Sequence, residues 1–336
     1  MSKKILELKN VNKYFITSDG KTLKACNNIN LDIEEGKITG IVGESGCGKS
    51  TLVRLIVQLE KLTEGEILYK GKDISKFNKK ELRENRKNIQ MIFQDAHGAF
   101  NPRMTIKDIL TEPLLNFGLI KKEEKEKKVK ELLNMVELSS DYLNAYPHNL
   151  SGGQLQRVGI ARAISLKPEI LICDEATSAL DVSIQKSIIE LLKKIQRETN
   201  MSIIFICHDL ALVQSLADEV MVMYLGHIVE KLKSKNLKLE AKHPYTHALI
   251  KSVLSLEKNN RLEILEGDIP SPILLKDECP FVNRCKSAIE VCKVKKPKMK
   301  RFDSEHEVMC HFLKRDNKKR EGKIKLYFLS LFFSSF

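Results

Sequence analysis

Short stretches of alternating apolar and polar residues open the chain: Ile5-Leu-Glu-Leu, Leu23-Lys-Ala-Cys and Ile29-Asn-Leu-Asp-Ile, with polar turns between them. A period of two over so few residues predicts antiparallel strands forming a small β layer. The pattern then changes. Lys37-Ile-Thr-Gly-Ile-Val-Gly43 is a compact apolar strand broken at glycine, and Thr51 to Leu59 carries helical periodicity, so the two predict a strand, loop, helix unit. Helical periods continue through a mixed region that includes 123–137. Apolar strands recur at Ile170-Leu-Ile-Cys173 and Ile203-Ile-Phe-Ile-Cys207. Buried strands separated by helices predict a parallel sheet and an α/β core.

Beyond about Lys235 the character shifts. His243-Pro-Tyr-Thr-His precedes a helical stretch over 248–256, and Pro270, Pro272 and Pro280 punctuate a cysteine-bearing, loop-rich segment, which places a domain boundary near 235–240. With 336 residues the chain has room for one large core and a smaller second module. No internal repeat is visible, so two tandem copies of one unit are excluded.

The formal charge of +13 suits nucleic acid, anionic lipid or a phosphate-bearing ligand equally, so it selects none of them. The lysines of 121–130 alternate with glutamates, as on a solvated helix face. No apolar run approaches the roughly 18 residues of a membrane span, and no secretory pattern follows Met1, so a cytoplasmic setting is expected. The apolar tail 324–336 is too short to span and is expected to be disordered. In a reducing compartment the eight cysteines are not expected to form disulfides.

The chemistry begins at Gly43-Glu-Ser-Gly-Cys-Gly-Lys-Ser-Thr51, which fits G-x-x-x-x-G-K-[ST] between a strand and a helix. Glycines 43, 46 and 48 let the loop of Gly43, Glu44, Ser45, Gly46, Cys47 and Gly48 curl its N–H groups around phosphates. Lys49 is expected to reach the β and γ phosphates, Ser50 to ligate Mg²⁺, and Thr51 to support the α phosphate side. The strand ending in Asp174-Glu175 adds two carboxylates with separate roles. Asp174 would hold Mg²⁺ through a water, and Glu175 would act as general base toward the attacking water.

Leu150-Ser-Gly-Gly-Gln154, followed by Gln156-Arg-Val-Gly-Ile-Ala-Arg-Ala, resembles the signature motif of ABC ATPases. Physically, Ser151 with the amides of Gly152 and Gly153, and Gln154 after them, forms a second anion site at a helix N-terminus. The resemblance implies that this tip closes on ATP held by another subunit, head to tail. It further implies that Gln94 is the Q-loop glutamine near Mg²⁺ and the attacking water, that Asp181 lies in the D-loop, and that His208 is the switch histidine at the γ phosphate. Phe15 stands where such ATPases place an aromatic against adenine, with Tyr14 as the competing choice. The implied catalytic set is Lys49, Gln94, Glu175 and His208.

Phe93-Gln-Asp with Phe100-Asn-Pro-Arg, Tyr146-Pro-His-Asn-Leu-Ser-Gly-Gly-Gln, and His243-Pro-Tyr-Thr-His-Ala-Leu resemble ATPase subunits of oligopeptide and dipeptide importers over residues 4–320. Asp95-Ala-His-Gly departs from the usual turn there, and Cys207 replaces the usual serine before the histidine. The resemblance implies a P-loop NTPase core of the ABC ATPase type, in the α/β class, with an antiparallel β subdomain, an inserted helical subdomain at about 96–163 and a small C-terminal cysteine domain. The expected divisions are 1–237, 238–320 and a tail, 321–336. Expected partners are a paralogous ATPase subunit, two transmembrane permeases and, indirectly, an extracytoplasmic peptide-binding protein, with the chain peripheral on the cytoplasmic membrane face and no nucleic acid bound. A nickel or other small-solute importer is the alternative. Cys279, Cys285, Cys292 and Cys310 lack paired C-x-x-C knuckles. From the residues alone zinc and free thiols both stay open, and the resemblance adds a [4Fe-4S] cluster.

Overall fold

The computed structural model describes residues 3–93, 98–178, 180–257, 270–271, 273 and 277–312. Gln94 and the apolar tail lie outside them. Strands β1 (Lys4–Ile16) and β2 (Thr22–Glu34) form an antiparallel pair with Leu6 opposite Ile33 and Leu8 opposite Leu31. The two segments read as separate strands at Leu23 and Ile29 are one strand, β2, whose pairing with β1 is interrupted by register shifts. Strand β3 (Ile38–Val42) enters the main sheet and is followed by helix α1 (Lys49–Ile56). The chain then returns to β1 through antiparallel β4 (Glu64–Tyr69) and the short β5 (Lys72–Asp73), completing a four-stranded layer in the order β2-β1-β4-β5.

Helix α2 (Lys79–Asn88) starts on a capping box between Asn78 and Glu81 and leads into β6 (Ile89–Ile92). An inserted helical layer follows, built from α3 (Ile106–Asn116), α4 (Lys125–Met135) and α5 (Gly152–Ile164). In α4 the buried residues Val129, Leu132 and Leu133 keep helical spacing, and Lys130 pairs with Glu126 on the exposed side at 2.7 Å. The lysine-glutamate run is therefore a solvated face, as its pattern suggests.

The main sheet continues through β7 (Ile170–Asp174), α6 (Val182–Thr199), β8 (Ser202–Cys207), α7 (Leu210–Leu216), β9 (Glu219–Tyr224) and β10 (His227–Lys233). Strands β9, β3, β8, β7 and β6 run parallel side by side. Alternate residues of β8 supply opposite cores: Ile203, Phe205 and Cys207 face the helical side, Ile204 and Ile206 the side shared with α1 and the β layer. Burial on both faces explains why these strands read as unbroken apolar runs.

After the short α8 (Leu237–Glu240) and α9 (Pro244–Glu257), the C-terminal segment adds α10 (Glu290–Val294), β11 (Lys300–Arg301) and β12 (Glu307–Val308). Strand β12 pairs antiparallel with β10, extending the main sheet to eight strands. Tyr245, Phe281 and Cys279 join the same hydrophobic core as Phe205 and Tyr224. Glu230 of β10, fully buried, accepts hydrogen bonds from the Lys242 and His243 amides and pairs with His306 at 2.8 Å. One carboxylate thus fastens both ends of the segment to the sheet, which removes an otherwise costly buried charge.

Candidate functional site

The parallel sheet decides where the chemistry meets. Strands β3 and β7 flank β8 in register and end together, so the loop after Val42 and the carboxylates after Cys173 emerge at one edge. This is the carboxyl end of the strands, the usual ligand-binding edge of such sheets. Gly48 caps α1 with φ +108, and a Cβ there would lie 2.2 Å from the Ala25 carbonyl oxygen, so only glycine allows the loop to turn against β2. The buried Lys49 donates from Nζ to the carbonyls of Gly43 at 2.6 Å and Glu44 at 3.0 Å, and its Nζ lies 3.7 Å from Cys47 Sγ. In this arrangement the ammonium bridges two carbonyls of its own loop.

Ser50 Oγ donates to Asp174 Oδ1 at 3.4 Å, bringing the two expected Mg²⁺ ligands together across 124 residues. Burial, the largest influence, raises the Asp174 carboxyl above its ordinary range, while the Ser50 hydroxyl and Lys49 pull it down. A divalent cation would favour the charged form, so this oxygen pair fits the hard-cation chemistry of Mg²⁺. Glu175 leaves the strand with a left-handed backbone, φ +49, and its N–H donates to the Ile206 carbonyl at 3.0 Å. Its side chain is half-buried, and its charge adds to the influences that raise the Asp174 carboxyl.

His208 is exposed on the bend after β8. Cys207, the departure from serine, accepts the Asp209 N–H on its sulfur at 3.2 Å, and burial pushes its thiol up to about 11. Asp209 then caps α7 through the amides of Ala211 and Leu212. The replacement therefore preserves the turn that presents the histidine.

Ser151 is the N-cap of α5, and Gln154 closes a capping box by accepting the Ser151 N–H at 2.9 Å. Gly153 packs on α6, where an added Cβ would come within 2.7 Å of Ile184 Cγ2. Asp181 precedes α6 and is exposed beside Val182, an apolar residue 81% exposed. Gln185 stabilises this turn by donating to the carbonyls of Thr177 and Leu180. Phe15 is half-buried opposite Leu23, with the Lys13 ammonium 4.6 Å from its ring centre. Tyr14 instead donates its hydroxyl to Asn12 and is tied to β1 itself.

All four C-terminal cysteines line one cavity of about 10 Å³, together with His243 and His311. That is room for a single water, and among the described residues no three Cys, His, Asp or Glu side chains are arranged to hold a metal ion. Burial raises the Cys285 and Cys310 thiols and pushes Cys279 up to about 12. The expected [4Fe-4S] cluster is therefore unsupported, although the four cysteines gather around one cavity.

Two residues escaped the motif reading. Tyr245 lies in His243-Pro-Tyr and Arg284 in Cys279-Pro-Phe-Val-Asn-Arg-Cys285; both strings were legible, but neither gave a reason to look toward the phosphate loop. In the fold the Glu44 N–H donates to the Tyr245 hydroxyl at 2.9 Å, and Arg284 holds the Glu44 carboxylate with both terminal nitrogens.

Comparison with known proteins shows the family. The family described as ABC transporter matches residues 26–178, and the family described as oligopeptide/dipeptide transporter, C-terminal region, matches residues 229–292. The chain is 43% identical to the oligopeptide transport ATP-binding protein AppF of Bacillus subtilis, over 91% of this chain and 97% of that one. It is 46% identical to OppF of Haemophilus influenzae, covering 86% and 89%. Among solved structures it resembles the ATP-binding cassette MJ0796, a dimer in a post-hydrolysis state with ADP and phosphate. There the TM-score is 0.63 at 33% identity, over 68% of this chain and 99% of that one.

Proposed function

Because this chain belongs to the ABC transporter family, as the ATPase subunit of an oligopeptide importer, we propose that its nucleotide site is divided between two subunits. Each ATP is held by Lys49 and its loop in one subunit and by a serine-glycine helix tip, the counterpart of Ser151 to Gly153, in the mate. The observation that carries this reading is the convergence of Lys49, Ser50, Asp174 and Glu175 at one sheet edge, with Ser151 standing on a separate helical layer.

In the nucleotide-bound state Lys49 leaves the Gly43 and Glu44 carbonyls and turns to the β and γ phosphates. Loop amides and the α1 N-terminus supply donors without reorganisation. Ser50, Asp174 and Gln94 would hold Mg²⁺, which would supply positive charge against the phosphates. Glu175 accepts the proton of the attacking water, while Gln94 and His208 orient water and γ phosphate. Asp181 carries the state of one site to the other. Phe15 stacks on adenine.

The working unit pairs this subunit head to tail with a paralogous ATPase. Two membrane permeases receive the stroke, and a peptide-binding protein outside the membrane delivers cargo. No helix among the described residues is long and apolar enough to cross a membrane. A groove between β6 and α5, lined by Phe93, Phe100, Gln156 and Arg162, offers the permeases a place. The chain works peripherally on the cytoplasmic membrane face, with 1–237 as the nucleotide-binding unit, 238–320 as the C-terminal unit and 321–336 as tail.

The relatives bear oligopeptide names, so the nickel alternative is not favoured. The test is ATP turnover and uptake of a labelled oligopeptide by the complete transporter in vesicles. Glu175→Gln in this chain should abolish uptake while ATP still binds, and unchanged uptake would refute the assignment.

A further inference from the structure

Glu44 occupies the second position of a loop built to hold a polyanion, which is an adverse place for a carboxylate. Its backbone is fixed from both sides: the N–H donates to Tyr245, and the carbonyl accepts from Lys49 at 3.0 Å. Its side chain meets a two-pronged guanidinium, Arg284 Nη1 to Oε2 at 2.7 Å and Nη2 to Oε1 at 3.0 Å. The Arg284 side chain is 4% exposed and lies 5.9 Å from the Tyr224 ring centre, with Nη1 3.5 Å from the Tyr224 hydroxyl. Tyr224, Tyr245 and Phe281 pack ring against ring at 4.6 to 5.4 Å behind the pair. A planar fork matched to a carboxylate and seated on aromatic rings is an arrangement that lysine can reproduce only in charge, not in its two-pronged geometry.

We propose that Arg284 is a positioning residue for ATP binding: from the C-terminal cysteine segment it neutralises Glu44 and holds the phosphate loop open. Without the guanidinium, the Glu44 carboxylate would sit uncompensated in the loop and oppose the phosphates. Arg284 touches neither water nor γ phosphate in this reading, so it governs affinity and not the hydrolytic step. It immediately precedes Cys285, whose side chain lines the cysteine cavity. One residue therefore joins that cavity to the nucleotide loop, 240 positions away.

The proposal rests on the P-loop reading above, and the test separates the two. Equilibrium binding of a fluorescent ATP analogue and steady-state turnover would be measured on the complete transporter carrying wild type, Arg284→Gln, Arg284→Lys, Glu44→Gln and the double variant Glu44→Gln/Arg284→Gln. Arg284→Gln should weaken nucleotide binding and raise KM about tenfold, equivalent to ~1.4 kcal/mol, with kcat changed by no more than about twofold. Raised salt should shrink that defect, and Arg284→Lys should recover part of it. Glu44→Gln should bind nucleotide severalfold more tightly. The double variant should fall between the two single ones, because deleting the carboxylate removes what the arginine was opposing. Unaltered binding in Arg284→Gln would overturn the proposal. So would a double variant as weak as or weaker than Arg284→Gln, the result expected of a scaffold without an electrostatic part. Should Arg284→Gln not fold, Glu44→Gln decides: tighter binding supports the proposal and weaker binding overturns it. Wild type that binds no nucleotide would instead defeat the P-loop reading itself.

Discussion

Replacing Gly153 by alanine should expose a packing constraint hidden inside the signature motif. The new Cβ would meet Ile184 Cγ2 at 2.7 Å and Cδ1 at 3.6 Å, where carbon atoms settle at about 3.5–4.0 Å. Ile184 is β-branched and sits in the first turn of α6, so its Cγ2 cannot swing away cheaply. Overlap of this kind costs about 1–3 kcal/mol. Alanine in a helix gains up to about 1 kcal/mol over glycine, so the single variant should lose only about 0–2 kcal/mol and would be uninformative alone. A four-member cycle of wild type, Gly153→Ala, Ile184→Ala and the double variant isolates the contact. In the Ile184→Ala background the same glycine replacement should become neutral or stabilising, and the coupling should be about 1–3 kcal/mol in favour of the double variant. Urea unfolding followed by circular dichroism reads it. A coupling below about 0.5 kcal/mol, within ordinary additivity, would show that α5 and α6 are not locked at this point. Phosphate contact alone would then explain the glycine. A large coupling means that the signature tip and the turn at Asp181 move as one piece.

Three further outcomes follow from the nucleotide loop. Lys49→Ala should abolish ATP binding in a fluorescence titration. It should also lower the stability of the ATP-free chain by about 1–3 kcal/mol, because the Gly43 and Glu44 carbonyls lose their donor. Asp174→Asn should do the reverse to the empty fold. Burial raises that carboxyl, so its favourable contribution is present below the ordinary aspartate range and lost as pH rises through the raised value, leaving a cost at pH 7. Thermal melts at pH 7 should therefore rise for this variant, while its Mg²⁺-dependent turnover falls about 100-fold or more. Phe15→Ala should raise KM for ATP by the worth of one stacked base, about 1–3 kcal/mol. Tyr14→Ala should leave KM close to wild type, and the opposite ranking would move the adenine to Tyr14.

What the sequence discloses follows from how far apart the cooperating residues lie. Gly43 to Thr51 and Ile170 to Glu175 are contiguous, and each carries its own strand, so loop and carboxylates could be placed without knowing the fold. Even the meeting of Ser50 with Asp174 was inferable, since parallel strands deliver their ends to one edge. The Arg284 to Glu44 pair was not, because nothing local to either residue points to the other. The short strands β11 and β12 carry only two residues each, too few for a period, and the β1/β2 ladder conceals its register shifts behind ordinary polar residues. Cysteine content suggested a metal centre, whereas ligand geometry depends on side-chain placement that composition does not encode.

The central claim is that two different subunits enclose each nucleotide. The most direct measurement is a structure of the complete transporter, with Glu175→Gln in this chain, determined with MgATP. The γ phosphate should lie within hydrogen-bond reach of Lys49 on one side and of the mate's signature serine on the other. An ATP bound by Lys49 with the mate's helix tip far from it would contradict the account.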